Sequence, residues 1–212
     1  MQWGRHRGTA HPDAAYDQRV AATPKGKSGV AWIDELTRID TAVYAAIAAT
    51  PTPSLDRAFR RLSRAADHSK LWLGSSAVLA ITGGPRGRRA ALNGMVSVAV
   101  TSAIVNGLLK PLGGRRRPER AMHRVPVERH VTMPLTRSFP SGHAASAVAY
   151  ASGVAIALPE AGIGLTLASG LVAYSRVHTG VHYPIDVIAG SLTGAAIAPA
   201  AVAALNRRMR RT

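Results

Sequence analysis

The residues with the most chemistry to offer fall in three clusters of this sequence. The last runs from Ser175-Arg176 through His182 to Asp186. His182 and Asp186 are four apart, and Pro184 between them suits the first turn of a helix. Residues at that spacing share a helix face. Asp186 can then accept the Nδ1 proton of His182 and leave Nε2 free as a nucleophile, the logic of an oriented His–Asp pair. Arg176 stands across a Thr179-Gly180 turn and can fold back onto the group that His182 attacks.

The middle cluster is Pro140-Ser141-Gly142-His143, directly ahead of an apolar run. A helix N-terminus carries free N–H groups and partial positive charge, which suits a phosphate. Gly142 lets the backbone come close, and His143 then stands beside the anion, placed to protonate a leaving oxygen. The first cluster, Lys110 through Pro118, offers Lys110 as a point charge and Arg117 as a bidentate fork. Pro111, Gly113 and Gly114 argue against continuous helix between those two. Phosphoryl transfer is mostly positioning and charge stabilisation. Two arginines, one lysine and backbone N–H groups can supply that with no metal and no cofactor. His178, His123 and His130 have no ligand spacing and no motif role; His178 is read as structural or as a support to the cluster.

All three clusters abut apolar stretches, and those stretches must position them. Residues 71–84, 90–109, 144–159, 161–175 and 187–205 carry no charge. Two of the five approach the ~20 residues that cross a bilayer, and the others borrow flanking residues. They are rich in Gly, Ala and Ser, which let helices approach closely where lipid gives no hydrophobic drive. If the stretches run antiparallel, the clusters meet at one end of a bundle. Upstream, residues 31–50 have helical apolar spacing. They also hold Asp34, Glu35, Arg38 and Asp40, too many charges for a central span. Residues 54–67, with Ser54 as N-cap, set Leu55, Phe59 and Leu62 against Arg57, Arg60, Arg61 and Arg64. Both segments are predicted to be amphipathic helices, the second lying at a membrane surface. Residues 1–30 are polar and basic and lack the apolar core of a signal peptide; they are predicted to be a solvated tail.

Composition bounds the alternatives. The 212 residues hold 27 Lys+Arg, 11 Asp+Glu and no Cys, for a net charge of +16. Without Cys there is no disulfide framework, thiolate zinc site or thiol nucleophile. The charge invites nucleic acid or anionic membrane. The basic loops lack the interleaved aromatics of a single-strand binder, so no nucleic-acid partner is expected. A mean hydropathy of +0.05 averages apolar stretches with a polar tail and a basic loop.

The clusters read K-x6-R-P, P-S-G-H and S-R-x5-H-x3-D. In that order they resemble the type 2 phosphatidic acid phosphatase (PAP2) superfamily, matching every defined position of its pattern. The resemblance implies an all-α, multi-pass membrane helical bundle with a core of about five to six helices, plus the amphipathic N-terminal helices. It places the phosphatase domain over 31–212, with its motif core at 71–205. It implies a metal-independent lipid phosphatase in which His182 becomes a phosphohistidine, Asp186 orients it and His143 protonates the leaving group. Water later cleaves the phosphoenzyme. Lys110, Arg117, Ser141, Gly142 and Arg176 would hold the phosphate. Soluble acid phosphatases and vanadium haloperoxidases share the pattern, but the uncharged stretches favour the membrane branch.

Expected substrates are phosphatidate-like lipids first. Polyprenyl phosphates or diphosphates and phosphatidylglycerol phosphate come second. A non-catalytic basic protein binding anionic lipid is the alternative of another class. Seven basic residues at 86–89 and 207–211 face eight in the 110–143 loop, so loop charge alone does not orient the chain. Discounting Lys110 and Arg117, which the motif requires, puts the active site on the non-cytoplasmic side of a bacterial-type cell membrane. Oligomeric state is left open by the sequence.

Overall fold

The computed structural model describes residues 31–211. The tail expected at 1–30 lies outside the described residues. The chain divides into two compact units, one ending at Arg38 and one running from Ile39. Of the first, the described part is the opening of helix α1 (Ala31–Ala49), where Arg38 and Glu35 pair at 3.4 Å.

Among the described residues every regular element is helical. After α1 come α2 (Pro53–Ala65), α3 (Lys70–Thr82), α4 (Gly84–Gly113), α5 (Gly142–Ala155), α6 (Pro159–His178) and α7 (Pro184–Met209). Prolines at the first helical positions start four of them, since proline needs no N–H partner there. Helix α5 is capped instead by Ser141, whose Oγ accepts from the Ala144 N–H at 3.4 Å. Helix α2 starts two residues earlier than the sequence suggested. Pro53 opens it, Thr52 rather than Ser54 takes the cap position, and the Thr52 hydroxyl donates to Asp56 Oδ1 instead of capping the backbone.

Helices α4 and α7 are long and apolar enough to cross a membrane. The apolar stretches at 71–84 and 144–159 fall on helices of 13 and 14 residues. Helix α5 is the axis of the second unit, flanked by α4, α6 and α7. Small residues set these distances. A Cβ at Gly190 would sit 2.4 Å from the Ser141 carbonyl oxygen, and one at Gly194 2.2 Å from that of Ala145. Helix α7 therefore lies against the start of α5 only because both are glycine. Across the axis, Tyr150 stacks on Trp72 (5.1 Å between centroids) and its hydroxyl meets Ser76 at 2.9 Å.

The middle of the long 114–141 connection is anchored by the fully buried side chain of Arg129. Its guanidinium donates to Asp56 Oδ1 (2.8 Å), the Ile47 carbonyl (3.0 Å), the Thr50 carbonyl (2.6 Å) and the Thr52 hydroxyl (3.1 Å). His178 bonds the same Asp56 oxygen at 2.9 Å, so it belongs to this anchor. The loop, with only a short 3-10 helix at Val127–Arg129, can thus be long and still present its two ends to fixed places.

Candidate active site

The three clusters meet at the α5 and α7 N-termini, and the backbone makes the junction. The Ser141 N–H donates to the Asp186 carbonyl at 2.8 Å. Gly180 turns the chain between α6 and α7 with a left-handed φ of 71°. In that turn the Val181 and His182 N–H groups donate back to the Arg176 carbonyl at 3.1 and 3.2 Å.

His182 is buried, with Nδ1 3.5 Å from Asp186 Oδ2. The Ser138 hydroxyl sits beside both, 3.4 Å from Nδ1 and hydrogen-bonded to Asp186 Oδ2. Asp186 Oδ2 also accepts from the Tyr183 N–H at 2.9 Å, and Oδ1 from Arg115 at 3.0 Å. On the other ring nitrogen, His182 Nε2 faces Arg117 at 3.1 Å. Burial pushes the His182 imidazolium down to about 3; Asp186 opposes that shift and Arg117 adds to it. The ring is therefore neutral across the physiological range, with its Nε2 lone pair turned toward the Arg117 guanidinium.

Arg117 and Lys110 are joined through Thr136. Arg117 donates to the Thr136 carbonyl (2.9 Å) and hydroxyl (3.2 Å), and Lys110 Nζ to the same hydroxyl at 3.3 Å. Burial brings the Arg117 guanidinium down to about 10, still a cation at neutral pH. Lys110 sits in the last turn of α4, after a wide π-helical turn at Val105–Leu109 and before Gly114, which ends the helix at φ 58°. Such turns re-register the side chains that follow. Here Lys110 Nζ and Asn106 Oδ1 both come within 4 Å of a Cβ built on Gly142.

His143 and Arg176 form the opposite rim, and an unforeseen carboxylate joins them. Asp67 Oδ1 is 2.9 Å from His143 Nε2 and 3.7 Å from the Arg176 guanidinium. The bond from His143 holds the Asp67 carboxyl below its usual range. Arg176 also donates to the Ser63 hydroxyl, while its buried Nε has no partner among the described residues. It does not reach the His182 ring; Arg117 does. On the side of Lys110 and His143 opens a cavity of about 260 Å³ lined by His68, Ser69, Asn106, Lys110, Gly142 and His143 among others; His182, Arg117 and Arg176 do not line it. His68 and Ser69 both adopt left-handed φ (55° and 59°), an uncommon conformation for residues with side chains.

The structure thus brings together all eight residues singled out from the sequence, and Ser141 spends its side chain on the α5 cap. Sequence reasoning missed Asp67, Arg115, Ser138, Thr136, Asn106 and Asp40. A signal existed for Asp40: with Tyr44 and Ala48 it forms an i, i+4, i+8 stripe, and these three are the buried residues of α1. Among the described residues no group of acidic and histidine side chains is spaced to hold a metal ion.

A site of cations and a neutral buried histidine beside a helix N-terminus defines a class: helical proteins that act on phosphate esters. The model of the PAP2 superfamily matches residues 91–210. A decaprenylphosphoryl-5-phosphoribose phosphatase of Mycobacterium tuberculosis is 36% identical over 168 residues, 76% of this chain and 87% of that protein. A lipid A 1-phosphatase of Rhizobium etli is 30% identical over 105 residues, 47% and 44% of the two chains. In fold, the chain is similar to a transmembrane PAP2-type phosphatidylglycerolphosphate phosphatase of Bacillus subtilis (TM-score 0.63, 20% identity, 92% of this chain and 94% of that one). It is also similar to LpxE of Aquifex aeolicus (TM-score 0.59, 23% identity, 77% and 94%). The chain belongs to the PAP2 superfamily and is a phosphoric monoester hydrolase. Two of its described helices are long and apolar enough to cross a membrane, and the protein of similar fold from Bacillus subtilis is a transmembrane one.

Proposed function

We propose that the protein removes phosphate from a lipid phosphate monoester through a phosphohistidine on His182. One observation carries this reading. A neutral, buried imidazole has Nδ1 turned to a carboxylate and Nε2 turned to a guanidinium. A phosphoryl group held by Arg117 would lie against the nucleophilic nitrogen. Lys110, Arg176 and the α5 N-terminus at Ser141-Gly142 surround the remaining oxygens.

In the first step Nε2 attacks phosphorus and the bond to the leaving alcohol breaks. His143 gives that oxygen its proton. Asp67 occupies His143 Nε2, so Nδ1 is the nitrogen left to serve the leaving group. In the second step water attacks phosphorus, His143 takes its proton, and the P–N bond breaks to restore His182. Asp186 keeps the Nδ1 proton on His182 and offsets the charge that develops on the ring. The cations supply the charge stabilisation, so the reaction runs without a metal.

The substrate keeps its tail in the bilayer and presents its phosphate at the ends of the helices. Phosphatidate-like lipids fit this description. A polyprenyl-linked sugar phosphate is the second reading, favoured by the identity with the mycobacterial phosphatase. We further propose that the chain is a multi-pass bundle over 31–212, that the amphipathic helices α1 and α2 lie at the interface, and that the site is non-cytoplasmic.

Phosphate release from a panel of phosphatidate, phosphatidylglycerol phosphate and polyprenyl substrates in EDTA, with wild type and His182→Ala, tests the chemistry. Wild type is expected to turn over in EDTA and the variant to be inactive. Turnover by His182→Ala removes the nucleophile, and loss of wild-type activity in EDTA removes the metal-free mechanism. Sidedness is read by labelling Thr132→Cys and Met209→Cys in this Cys-free chain. Thr132→Cys should react with impermeant reagent from outside; reaction only from the cytoplasm reverses the orientation.

A further inference from the structure

Behind the His182–Asp186 pair lies a layer of charge that phosphate handling does not use. Asp40, on the second half of α1, is buried, at 2% exposure. Its Oδ1 accepts from the Ile185 N–H at 2.8 Å, one of the free donors in the first turn of α7. Its Oδ2 accepts from Arg115 at 2.6 Å. Arg115 then spans to Asp186 Oδ1 at 3.0 Å, with its guanidinium carbon 4.1 Å over the Tyr183 ring. The Arg115 carbonyl also accepts from the Ser138 N–H at 2.9 Å, and the Ser138 hydroxyl bonds the other oxygen of Asp186. Arg115 therefore grips the orienting carboxylate twice, once directly and once through Ser138. Asp40 caps the helix turn that carries Asp186.

We propose that Asp40 and Arg115 are positioning residues for Asp186, and that α1 is thereby part of the catalytic apparatus although it lies outside the segment matched by the family model. The inference rests on the proposed role of Asp186 beside a His182 nucleophile. A guanidinium tied between two buried carboxylates has one available geometry, since its fork is planar and both ends are engaged. Asp186 itself has no lone pair turned to open solvent, so its plane, and with it the tilt of the imidazole, is set from behind.

The charges facing the pair are few. Arg117 stands at Nε2, Arg176 lies beyond it, and Arg115 backed by Asp40 faces the carboxylate; Glu119 adds an anion near Tyr183. Removing a cation there raises the pH at which His182 takes a proton, and removing an anion lowers it.

The test uses purified full-length protein in detergent with a lipid phosphate substrate. The variants are Asp40→Asn, Arg115→Gln and Arg115→Lys. The first two are expected to lose kcat by on the order of tenfold to a hundredfold, the cost of a misplaced group, with KM little changed. The acid limb of kcat/KM should move up in Arg115→Gln and down in Asp40→Asn, while Arg115→Lys keeps the limb near wild type. A purely structural pair would not move the limbs in opposite directions. Wild-type kcat in either of the first two variants overturns the proposal. So do limbs that stay in place or shift together. His182→Ala separates the two readings: an active His182→Ala protein fails the nucleophile, whereas an inactive one beside fully active Asp40→Asn fails this inference alone.

Discussion

Two His–Asp pairs frame the site, and they are built on opposite plans. His182 and Asp186 are four residues apart, His182 just ahead of the α7 cap and Asp186 in the first turn of the helix, with side chains 1% and 0% exposed. His143 and Asp67 are 76 residues apart, joined at 2.9 Å, with side chains 25% and 34% exposed. The first pair is dry, and every polar atom of its carboxylate is engaged by protein. In the second, His143 lines the cavity. That difference follows the division of labour we propose. A nucleophile profits from being neutral, fixed and shielded, because each proton or water at Nε2 competes with phosphorus. An acid that serves first a departing alcohol and then an entering water must face the route by which both travel.

If the buried pair is the rigid partner, its carboxylate should be the costlier one to neutralise. Asp186→Asn keeps the shape but can donate to Nδ1, which favours the wrong imidazole tautomer. A loss in kcat on the order of 10⁴-fold is expected, approaching that of His182→Ala. Initial-rate phosphate release, with thermal stability measured in parallel, checks it. A loss below tenfold would mean that Ser138, 3.4 Å from Nδ1, orients the ring well enough alone, and the contrast between the pairs would collapse.

The exposed pair should fail more gently and in a way that depends on substrate. His143→Ala is expected to cost roughly 10²- to 10⁴-fold with an alkyl phosphate ester, the usual range for general acid catalysis. With an aryl phosphate, whose phenolate leaves without a proton, most of that loss should disappear from the phosphorylation step. Equal losses on both substrates would place His143 among the phosphate binders rather than the proton donors.

The same contrast explains what the sequence could disclose. The pair four residues apart was legible from its spacing and from Pro184, which opens α7, although the shared helix face expected for it is not what forms: Asp186 lies in the first turn and His182 just ahead of the extended cap residue Tyr183. Lys110, Arg117 and His143 were legible as residue types at the ends of apolar runs. Asp67 was not, since its partners are 76 and 109 positions away and nothing local distinguishes it from the surface charges of the preceding basic helix. Asp40 looked like one more reason why 31–50 makes a poor membrane span, although its stripe with Tyr44 and Ala48 marked an inward face. Arg115 was hidden inside a run of three arginines, of which one faces His182 and another faces Asp186. The π-helical turn that aims Lys110 left no trace in a uniformly apolar stretch. Helix existence was written in composition and punctuation by proline and glycine. The network behind the motif was written only in tertiary packing.

Asp67 offers the finest measure of how far the two pairs differ. Its anion favours protonated His143, by the same hydrogen bond that holds the carboxyl below its usual range. Asp67→Asn removes that support, so His143 gives up its proton at lower pH and the alkaline limb of kcat should move down. At the optimum the loss should stay near tenfold, because His143 keeps its place at the start of α5 and the side chain remains partly hydrated. Arg176 also loses a neighbour at 3.7 Å. Its guanidinium is then freer to turn its unpaired Nε toward the phosphate, which predicts that KM holds or falls rather than rises. A pH–rate profile with the alkaline limb unmoved would show that Asp67 serves Arg176 and not the acid, and the second pair would no longer be a pair in the chemical sense.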